Sequence, residues 1–202
     1  IGHDRFLSGL EKLVETVRKA SGGETRLLIQ LIDFLAIKRR PEPERYFRRF
    51  LAVTDRHRAH FPGKNDGQIR EAMLAADDAM LEKVLNEREL ESLRQGYRER
   101  VTDADLGHIR DLPKTLPDIF ADAALRAKKT GFDGVELHYA HAYTMASFLS
   151  ALNTRADGYG GVRENRVRLP LGVYRAARVA VGSDYALGCR YLSEDCIACG
   201  NT

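Results

Sequence analysis

The sequence lacks any apolar run approaching the roughly 20 residues that a membrane-spanning helix requires, which argues against such a helix. Its first residues run directly into an amphipathic helical pattern, so a secretory signal peptide is not indicated. No methionine begins the chain, and we therefore do not expect Ile1 to be the natural N terminus. Neither sign of charge dominates, because 32 basic residues face 29 acidic ones and leave a net charge of +3. We expect neither a membrane nor a nucleic-acid partner.

Cysteine is also scarce, since the chain has three cysteines, all near its end: Cys189, Cys196 and Cys199. That number is too small for a disulfide framework, so a reducing, cytoplasmic location is the expectation. Cys196 and Cys199 have the spacing of a redox or metal-binding pair, and His138 and His141 have that of a zinc-binding pair. Neither pattern brings an evident third ligand, and we expect no metal.

Helical and strand patterns alternate along the chain. Short apolar runs typical of buried strands occupy residues 26–32, 134–138 and 185–192, and helical patterns precede and separate them. Such alternation predicts an α/β fold with a parallel sheet and right-handed crossovers. With 202 residues, 44% of them hydrophobic, the chain is long enough for one substantial core.

Three segments between the predicted strands allow more detailed expectations. Thr115-Leu116-Pro117-Asp118 resembles a capping box with an early proline, which predicts that a helix begins there. The predicted buried face of this helix contains Ile119, Phe120, Ala123, Ala124 and Ala127. Residues 66–100 are charged and rich in alanine, leucine, glutamate and arginine, and they predict one or two exposed helices. Residues 139–161 are expected to form a long loop.

The most informative stretch is the strand pattern that ends in two histidines and a tyrosine: His138, His141 and Tyr143. In parallel sheets and barrels, the groups just past the carboxyl end of a strand face the active site. Two imidazoles and a phenol at such a place are suited to bind an oxygen and to donate a proton. Taken singly, a histidine at a strand end is more often a hydrogen-bonded structural residue than a functional one, and Tyr143 alone is compatible with a packed aromatic ring.

The same stretch resembles the Old Yellow Enzyme family of FMN-dependent oxidoreductases. The family pattern is a strand ending in Gly-Val-Glu-Ile-His, then His or Asn three residues later and Tyr two further on. Residues 134–143 match it, with Leu137 in place of the isoleucine. A Phe-Leu pair and an Asn-x-Arg-x-Asp-x-Tyr-Gly-Gly signature follow at 148–149 and 153–161, and Glu164-Asn165-Arg166 continues the match. A composite of this length is far more specific than a single short motif.

The resemblance implies a TIM (β/α)8 barrel, of which this chain would hold a part. A complete barrel needs about 250 residues, and the three strand patterns correspond to about strands 3 to 5 of the family fold. We therefore expect residues 1–202 to be the central part of a single FMN-binding barrel domain, with a helical elaboration near 66–100. The phosphate site of such barrels usually follows strands seven and eight, outside this part.

The resemblance also implies a reaction. In the family, hydride passes from the co-substrate NAD(P)H through FMN to an activated alkene, which is a small-molecule substrate. By resemblance, His138 and His141 bind the substrate carbonyl oxygen, and Tyr143 donates a proton to the α-carbon. Gln30 resembles the glutamine that contacts the flavin pyrimidine edge, and Arg190 resembles the arginine beside flavin N1 and O2. We therefore expect Gln30, His138 and Arg190 at the carboxyl ends of three neighbouring strands.

The chain departs from the family pattern at several positions, and alternatives stay open. Ala142 stands where the family often has glycine, Ser147 where it often has glutamine, and Asp33-Phe34-Leu35 replaces an aromatic-His-Gly stretch. Within the family, the alternatives are an amine dehydrogenase or a dienoyl-CoA reductase. Outside it, the alternative is a non-catalytic or flavin-free fragment or binding protein that keeps the fold, and a homo-oligomer is compatible with either class. The signature residues are expected to organise the loop: Asn153, Arg155, Asp157 and Tyr159.

Overall fold

The computed structural model describes residues 1–201 and shows a mixed α/β chain with one three-stranded sheet. Its strands, in spatial order, are β1 (Leu28–Leu31), β2 (Gly134–Tyr139) and β3 (Ala186–Tyr191). Both pairings are parallel, with Gln30 opposite Glu136 and His138 opposite Arg190. The predicted α/β fold with a parallel sheet is therefore confirmed, and the two outer strands are shorter at both ends than their apolar runs.

Within residues 1–201 the α-helices are α1 (Leu7–Ala20), α2 (Pro43–Arg45), α3 (Asp55–His60), α4 (Asp66–Leu74), α5 (Asp78–Val84), α6 (Glu87–Arg94), α7 (Gly107–Arg110), α8 (Leu112–Lys129), α9 (Thr144–Leu149), α10 (Arg163–Arg166) and α11 (Arg168–Val181). A π-helical turn at Tyr46–Phe50 continues α2. None of the helices in this range is both long and apolar enough to cross a membrane. The chain divides into two compact units, of which one contains residues 1–35 and 100–201 with the sheet, and the other is the helical segment Ala36–Glu99.

The sheet has one apolar face and one polar face. Alternate residues of a strand point to opposite sides, so Val135, Leu137 and Tyr139 share one face of β2. All three are buried in the same core as the apolar sides of α8 and α11, which pack against each other. Glu136 and His138 consequently lie on the opposite face, where polar side chains of the three strands meet.

Helix α8 differs from the sequence prediction at its start and on one side. It begins at Leu112 rather than at Thr115, and the Thr115 hydroxyl donates to a carbonyl of the preceding turn instead of capping the helix. Leu112 lies eight residues before Phe120 on the same buried stripe, which explains the earlier start. Ile119 is 54% exposed because it lies about 100° around the helix from Phe120, whereas the other four residues predicted for this face are buried.

The unit Ala36–Glu99 has a hydrophobic core of its own, so the prediction of one or two exposed helices over 66–100 was wrong. Three helices, α4 to α6, occupy this segment. Each follows an Asx side chain that accepts a hydrogen bond from the backbone N–H three residues later: Asn65, Asp77 and Asn86. Their apolar sides meet the π-helical turn in a core formed by Tyr46, Phe47, Leu51, Ile69, Met73, Leu81, Val84, Leu85 and Leu93.

Candidate active site

The carboxyl ends of the three strands hold the polar residues that were predicted for a site. Gln30, His138 and Arg190 are each the residue before the last of their strand. Parallel pairing places all three at the same end of the sheet, and the register places their side chains on the polar face. The predicted placement of these three residues is confirmed.

Glu136 connects the two outer strands of this cluster, and the sequence reasoning missed it as a site residue. Gln30 Nε2 donates to Glu136 Oε1, and Arg190 Nε donates to the same oxygen at 3.1 Å. The sequence could have identified Glu136 as a site residue by its position two residues before His138, because this spacing puts both side chains on one face of the strand. Glu136 thereby holds in place the amide and the guanidinium that resemble the family's flavin contacts.

His138 and His141 are close enough to act on a single atom. His138 Nε2 and His141 Nδ1 lie 3.1 Å apart, and the ring centroids are 4.8 Å apart. His138 is 2% exposed, whereas His141 is exposed. A neutral imidazole carries its hydrogen on either nitrogen. The two facing nitrogens are hydrogen-bonded, so one donates to the other, and both rings could donate to the same oxygen only if that oxygen entered between them with a hydrogen on each nitrogen.

The surroundings of His138 favour its neutral form and a ligand beside it. Burial lowers the pKa of His138 below its usual value, and the neighbouring His141 and Arg190 lower it further. Its Nδ1 atom is buried and has no hydrogen-bond partner within residues 1–201. Because a buried polar atom without a partner costs about 1–3 kcal/mol, a ligand that supplies the missing partner is favoured at this place.

Tyr143 lies beside the two histidines and is open to solvent. Its ring centroid is 5.4 Å from that of His138 and 6.4 Å from that of His141. The ring of Phe34, in the segment after β1, lies 6.0 Å away on another side. Tyr143 is 37% exposed, so its hydroxyl can reach a substrate that enters the cluster. The arrangement therefore brings two imidazoles and one phenol together at the strand end.

A strained turn brings these groups together. His141 and Ala142 have φ angles of 57° and 56°, in the left-handed region that favours glycine. This conformation costs roughly 1–2 kcal/mol per non-glycine residue. Two such residues in succession reverse the chain after β2, and the reversal returns His141 to the side of His138. Strain of this kind is typical of functional sites.

We expect Ala142→Gly to raise the free energy of unfolding by up to about 1.5 kcal/mol. Removing the Cβ relieves about 1–2 kcal/mol of strain, and the greater entropy of glycine in the unfolded chain offsets about 0.4–1 kcal/mol of that gain. Urea unfolding followed by circular dichroism measures the difference. Ala104→Gly is the control, because Ala104 is not among the residues with positive φ. A stability gain that is no larger at Ala142 than at Ala104 would show that the turn is unstrained.

Arg155 fixes the segment that follows α9. Its side chain is fully buried, and Nη1 donates to the carbonyls of Val101 at 2.7 Å and Ile109 at 3.2 Å. Nη2 donates to the carbonyl of Arg110, and the guanidinium pairs with the carboxylate of Asp157. A single side chain thus donates hydrogen bonds to three backbone carbonyls and one carboxylate.

Asn153 and Gly160 complete the same structure. Asn153 Nδ2 donates to the carbonyls of Phe148 and Tyr159, and its Oδ1 accepts from the backbone N–H of Arg155. A Cβ at Gly160 would lie 2.4 Å from the Arg155 backbone nitrogen, so only glycine fits. The signature therefore organises the segment as expected, although the predicted loop over 139–161 contains the helix α9.

Acid should weaken the Arg155–Asp157 pair. The Arg155 guanidinium holds the pKa of the Asp157 carboxyl below its usual value. A carboxyl whose pKa is lower in the folded than in the unfolded state, where it is about 3.9, stabilises the fold above that value. This stability is lost as pH falls through the folded pKa. We expect Asp157→Asn to be less stable than the parent protein at neutral pH and to show a smaller loss in acid.

Urea unfolding at a series of pH values measures this effect. Asp118→Asn is the matched control, because Asp118 is exposed on α8. If Asp157→Asn retained the acid sensitivity of the parent protein, the ion pair would not contribute to stability.

Within residues 1–201, no group of three or more His, Cys, Asp or Glu side chains is placed so that it could hold a metal ion.

Comparison with known proteins places this cluster in a chemical context. The model of the NADH:flavin oxidoreductase / NADH oxidase family matches residues 66–202. An NADH oxidase of Thermoanaerobacter brockii is 46% identical over 84 residues, which are 41% of this chain and 13% of that protein. The 12-oxophytodienoate reductase 7 of Oryza sativa subsp. japonica is 44% identical over 73 residues, which are 34% of this chain and 18% of that protein.

A solved structure is also similar to part of the chain. Morphinone reductase is 36% identical over an alignment that covers 48% of this chain and 24% of its own, with a TM-score of 0.39. The matched part of this chain therefore spans less than one fifth of the length of the two sequence relatives and about one quarter of morphinone reductase.

Proposed function

The chain belongs to the NADH:flavin oxidoreductase / NADH oxidase family, and from that premise we propose that it is part of an ene reductase of the Old Yellow Enzyme type. FMN and NAD(P)H are the cofactor and the co-substrate of this family. One observation supports the finer activity most strongly: His138 Nε2 and His141 Nδ1 lie 3.1 Å apart at the carboxyl end of a parallel sheet, beside an exposed tyrosine. Such a group suits a small molecule with a carbonyl next to a double bond.

The residues present fit the flavin ring of FMN. Gln30 provides a donor and an acceptor, and Arg190 provides donors, which together match the hydrogen-bonding groups at the edge of a pyrimidine ring. Glu136 holds both side chains. The Nδ1 atom of His138, which has no hydrogen-bond partner among the described residues, is a further polar atom that a bound ring system can satisfy. When bound, FMN supplies hydride transfer between NAD(P)H and the alkene. Its phosphate calls for charge pairing outside this cluster, at the place where barrels of this fold bind phosphate.

The chain's own residues would orient and polarise the substrate. His138 and His141 each donate a hydrogen bond to the carbonyl oxygen, which draws electron density from the double bond and stabilises the negative charge that develops on that oxygen. His138 does this in the neutral form, which its burial favours by lowering its pKa. Tyr143 then donates the proton that the α-carbon requires.

We further propose that residues 1–202 are the central part of one TIM-barrel domain, with β1 to β3 as about its strands 3 to 5 and residues 66–100 as a helical elaboration. Each outer strand has an edge that is unpaired within residues 1–201. Leu28 on β1 and Tyr191 on β3 are largely exposed. Unpaired edges and exposed apolar side chains favour additional strands on both sides.

A turnover assay of the full-length protein tests the proposed activity. With 2-cyclohexenone as substrate, we expect NAD(P)H oxidation that depends on the enone and yields the saturated ketone. Flavin-loaded protein that oxidises NAD(P)H but leaves the enone unchanged would contradict ene reduction and favour another activity of the family. Protein that binds no flavin would favour the non-catalytic alternative.

Tyr143→Phe is expected to slow alkene reduction by on the order of 10²-fold and to leave reduction of the flavin by NAD(P)H unchanged. The substitution removes only the hydroxyl group, whose proton is needed by the α-carbon and is not needed for reduction of the flavin. Stopped-flow measurement of the two half-reactions separates the effects. Tyr191→Phe, on exposed β3, is the control. If alkene reduction by Tyr143→Phe proceeded at the parent rate, another group or water would be the proton donor.

A further inference from the structure

A cavity of about 840 Å³ lies in the helical unit Ala36–Glu99. Its volume is within the range of small-molecule binding pockets, about 300–1,000 Å³. All of its lining residues belong to this unit, and none belongs to the strand-end cluster. We infer that this cavity is a second binding site, which takes an organic anion with an aromatic body. This goes beyond the oxidoreductase activity proposed above and does not depend on it.

Positive charge dominates the lining. Five cationic side chains face the cavity together with two carboxylates: Lys38, Arg39, Arg40, Arg45, Arg88, Glu42 and Glu89. Glu89 is already engaged, because its Oε2 accepts from the backbone N–H of Asn86 at 2.8 Å and lies 3.3 Å from Nε2 of the buried His57. Arg88 is also engaged, because its Nη1 lies 3.3 Å from Glu91 Oε2. The other four cations still outnumber the two carboxylates of the lining, and an anion is the ligand that this charge favours.

Aromatic rings supply the second half of the site. Tyr46, Phe50 and Tyr97 line the same cavity. Lys38 Nζ lies 5.1 Å from the centroid of the Tyr97 ring, and the Arg45 guanidinium lies 5.6 Å from that of Phe50. Phe50 is 58% exposed, which leaves apolar ring surface for a ligand. A planar ligand can stack on such surface while its charged group meets the neighbouring cations.

The segment that carries three consecutive cations is held in place by its backbone. Ile37 and Arg98 form an isolated antiparallel bridge, and Lys38 N–H donates to the carbonyl of Tyr97 at 2.8 Å. Gly96 has a φ of +105°, and a Cβ there would lie 2.3 Å from the carbonyl oxygen of Lys38. Only glycine allows this approach. Residues 38–40 are therefore positioned before a ligand arrives, which lowers the entropy lost on binding.

The combination defines the chemistry of the ligand. Arginine binds carboxylate and phosphate groups through paired N–H donors, and it also stacks on flat rings. An anionic group attached to an aromatic ring satisfies both halves of the lining. Two sources share this chemistry, an aromatic carboxylic acid and an adenine nucleotide, and they are distinguished by experiment.

Isothermal titration calorimetry of the full-length protein with 1-naphthoate and with 2′,5′-ADP tests the proposal. We expect one-to-one binding of at least one probe, with an affinity that decreases as salt is added. Arg39→Gln combined with Arg40→Gln should weaken that binding by about tenfold or more, because charged hydrogen bonds are lost. Arg56→Gln combined with Lys83→Gln removes the same charge outside the cavity and should bind as the parent protein does.

The possible results distinguish an aromatic acid from a nucleotide as the ligand, and they distinguish a failure of this inference from a failure of the proposed function. Binding of 1-naphthoate alone identifies an aromatic acid site, and binding of 2′,5′-ADP alone identifies a nucleotide site. Binding of neither probe, or equal losses in the two double variants, would overturn the inference. The visible flavin spectrum of the same samples reports on the strand-end site, so failure at the cavity leaves the proposed function intact and loss of flavin leaves the calorimetric result valid.

Discussion

His138→Ala in the full-length protein is expected to lower kcat/KM for an activated alkene by about 10²–10³-fold, the usual effect of removing one donor to a developing oxyanion. His138 is buried at the end of β2, and its Nε2 faces His141 Nδ1 at 3.1 Å. Without it, the substrate oxygen keeps one donor and loses the one that is held most rigidly. Steady-state kinetics with 2-cyclohexenone measures the loss.

Two controls make this result specific to the donor. His60→Ala removes an exposed histidine of the helical unit and should leave kcat/KM unchanged. His138→Gln retains an N–H donor on a flexible side chain, and we expect it to recover part of the lost activity. If His138→Ala showed parent kinetics with full flavin occupancy, His138 would be a structural residue and the proposed substrate contact would be wrong.

Arg155→Met is expected to lower the free energy of unfolding by about 3–5 kcal/mol, the range for breaking a buried ion pair by removal of one partner. The carbonyls of Val101, Ile109 and Arg110 lose their donor in this variant, and Asp157 loses its counter-ion. Methionine fills part of the volume but supplies no hydrogen bond. Urea unfolding at neutral pH provides the measurement.

Arg163→Met is the matched control, because Arg163 is exposed at the start of α10. A surface substitution of this kind usually changes stability by less than about 0.5 kcal/mol. Similar values for the two variants would show that the buried guanidinium does not hold the segment after α9 in place.

The strand-end positions were predictable because their causes are local. Each strand is a short apolar run, and parallel pairing then brings the carboxyl ends together wherever the runs occur. The family resemblance singled out Gln30 and Arg190, and the strand patterns together with parallel pairing placed them correctly with His138. The spacing within the signature at 153–161 likewise reflects contacts between near neighbours, such as that of Asn153 with Tyr159.

Other features depend on contacts that the sequence does not display. The bridging role of Glu136 requires the register of three strands, and the left-handed pair His141 and Ala142 is imposed by the turn as a whole. The prediction that Ile119 is buried was wrong, because residue type alone does not show whether an apolar residue lies on the buried stripe or beside it. Asn65, Asp77 and Asn86 are of residue types that commonly precede a helix. Because these signals were not used, three helices were predicted as one or two.

The most direct measurement is the visible spectrum of the full-length protein through one cycle of reduction and reoxidation. We predict that the purified protein shows the absorption of oxidised flavin, that anaerobic NAD(P)H bleaches it, and that 2-cyclohexenone restores it with formation of the saturated ketone. Protein that takes up no FMN, or bound flavin that stays bleached after the enone is added, would contradict the assignment of His138, His141 and Tyr143 to an ene-reductase active site.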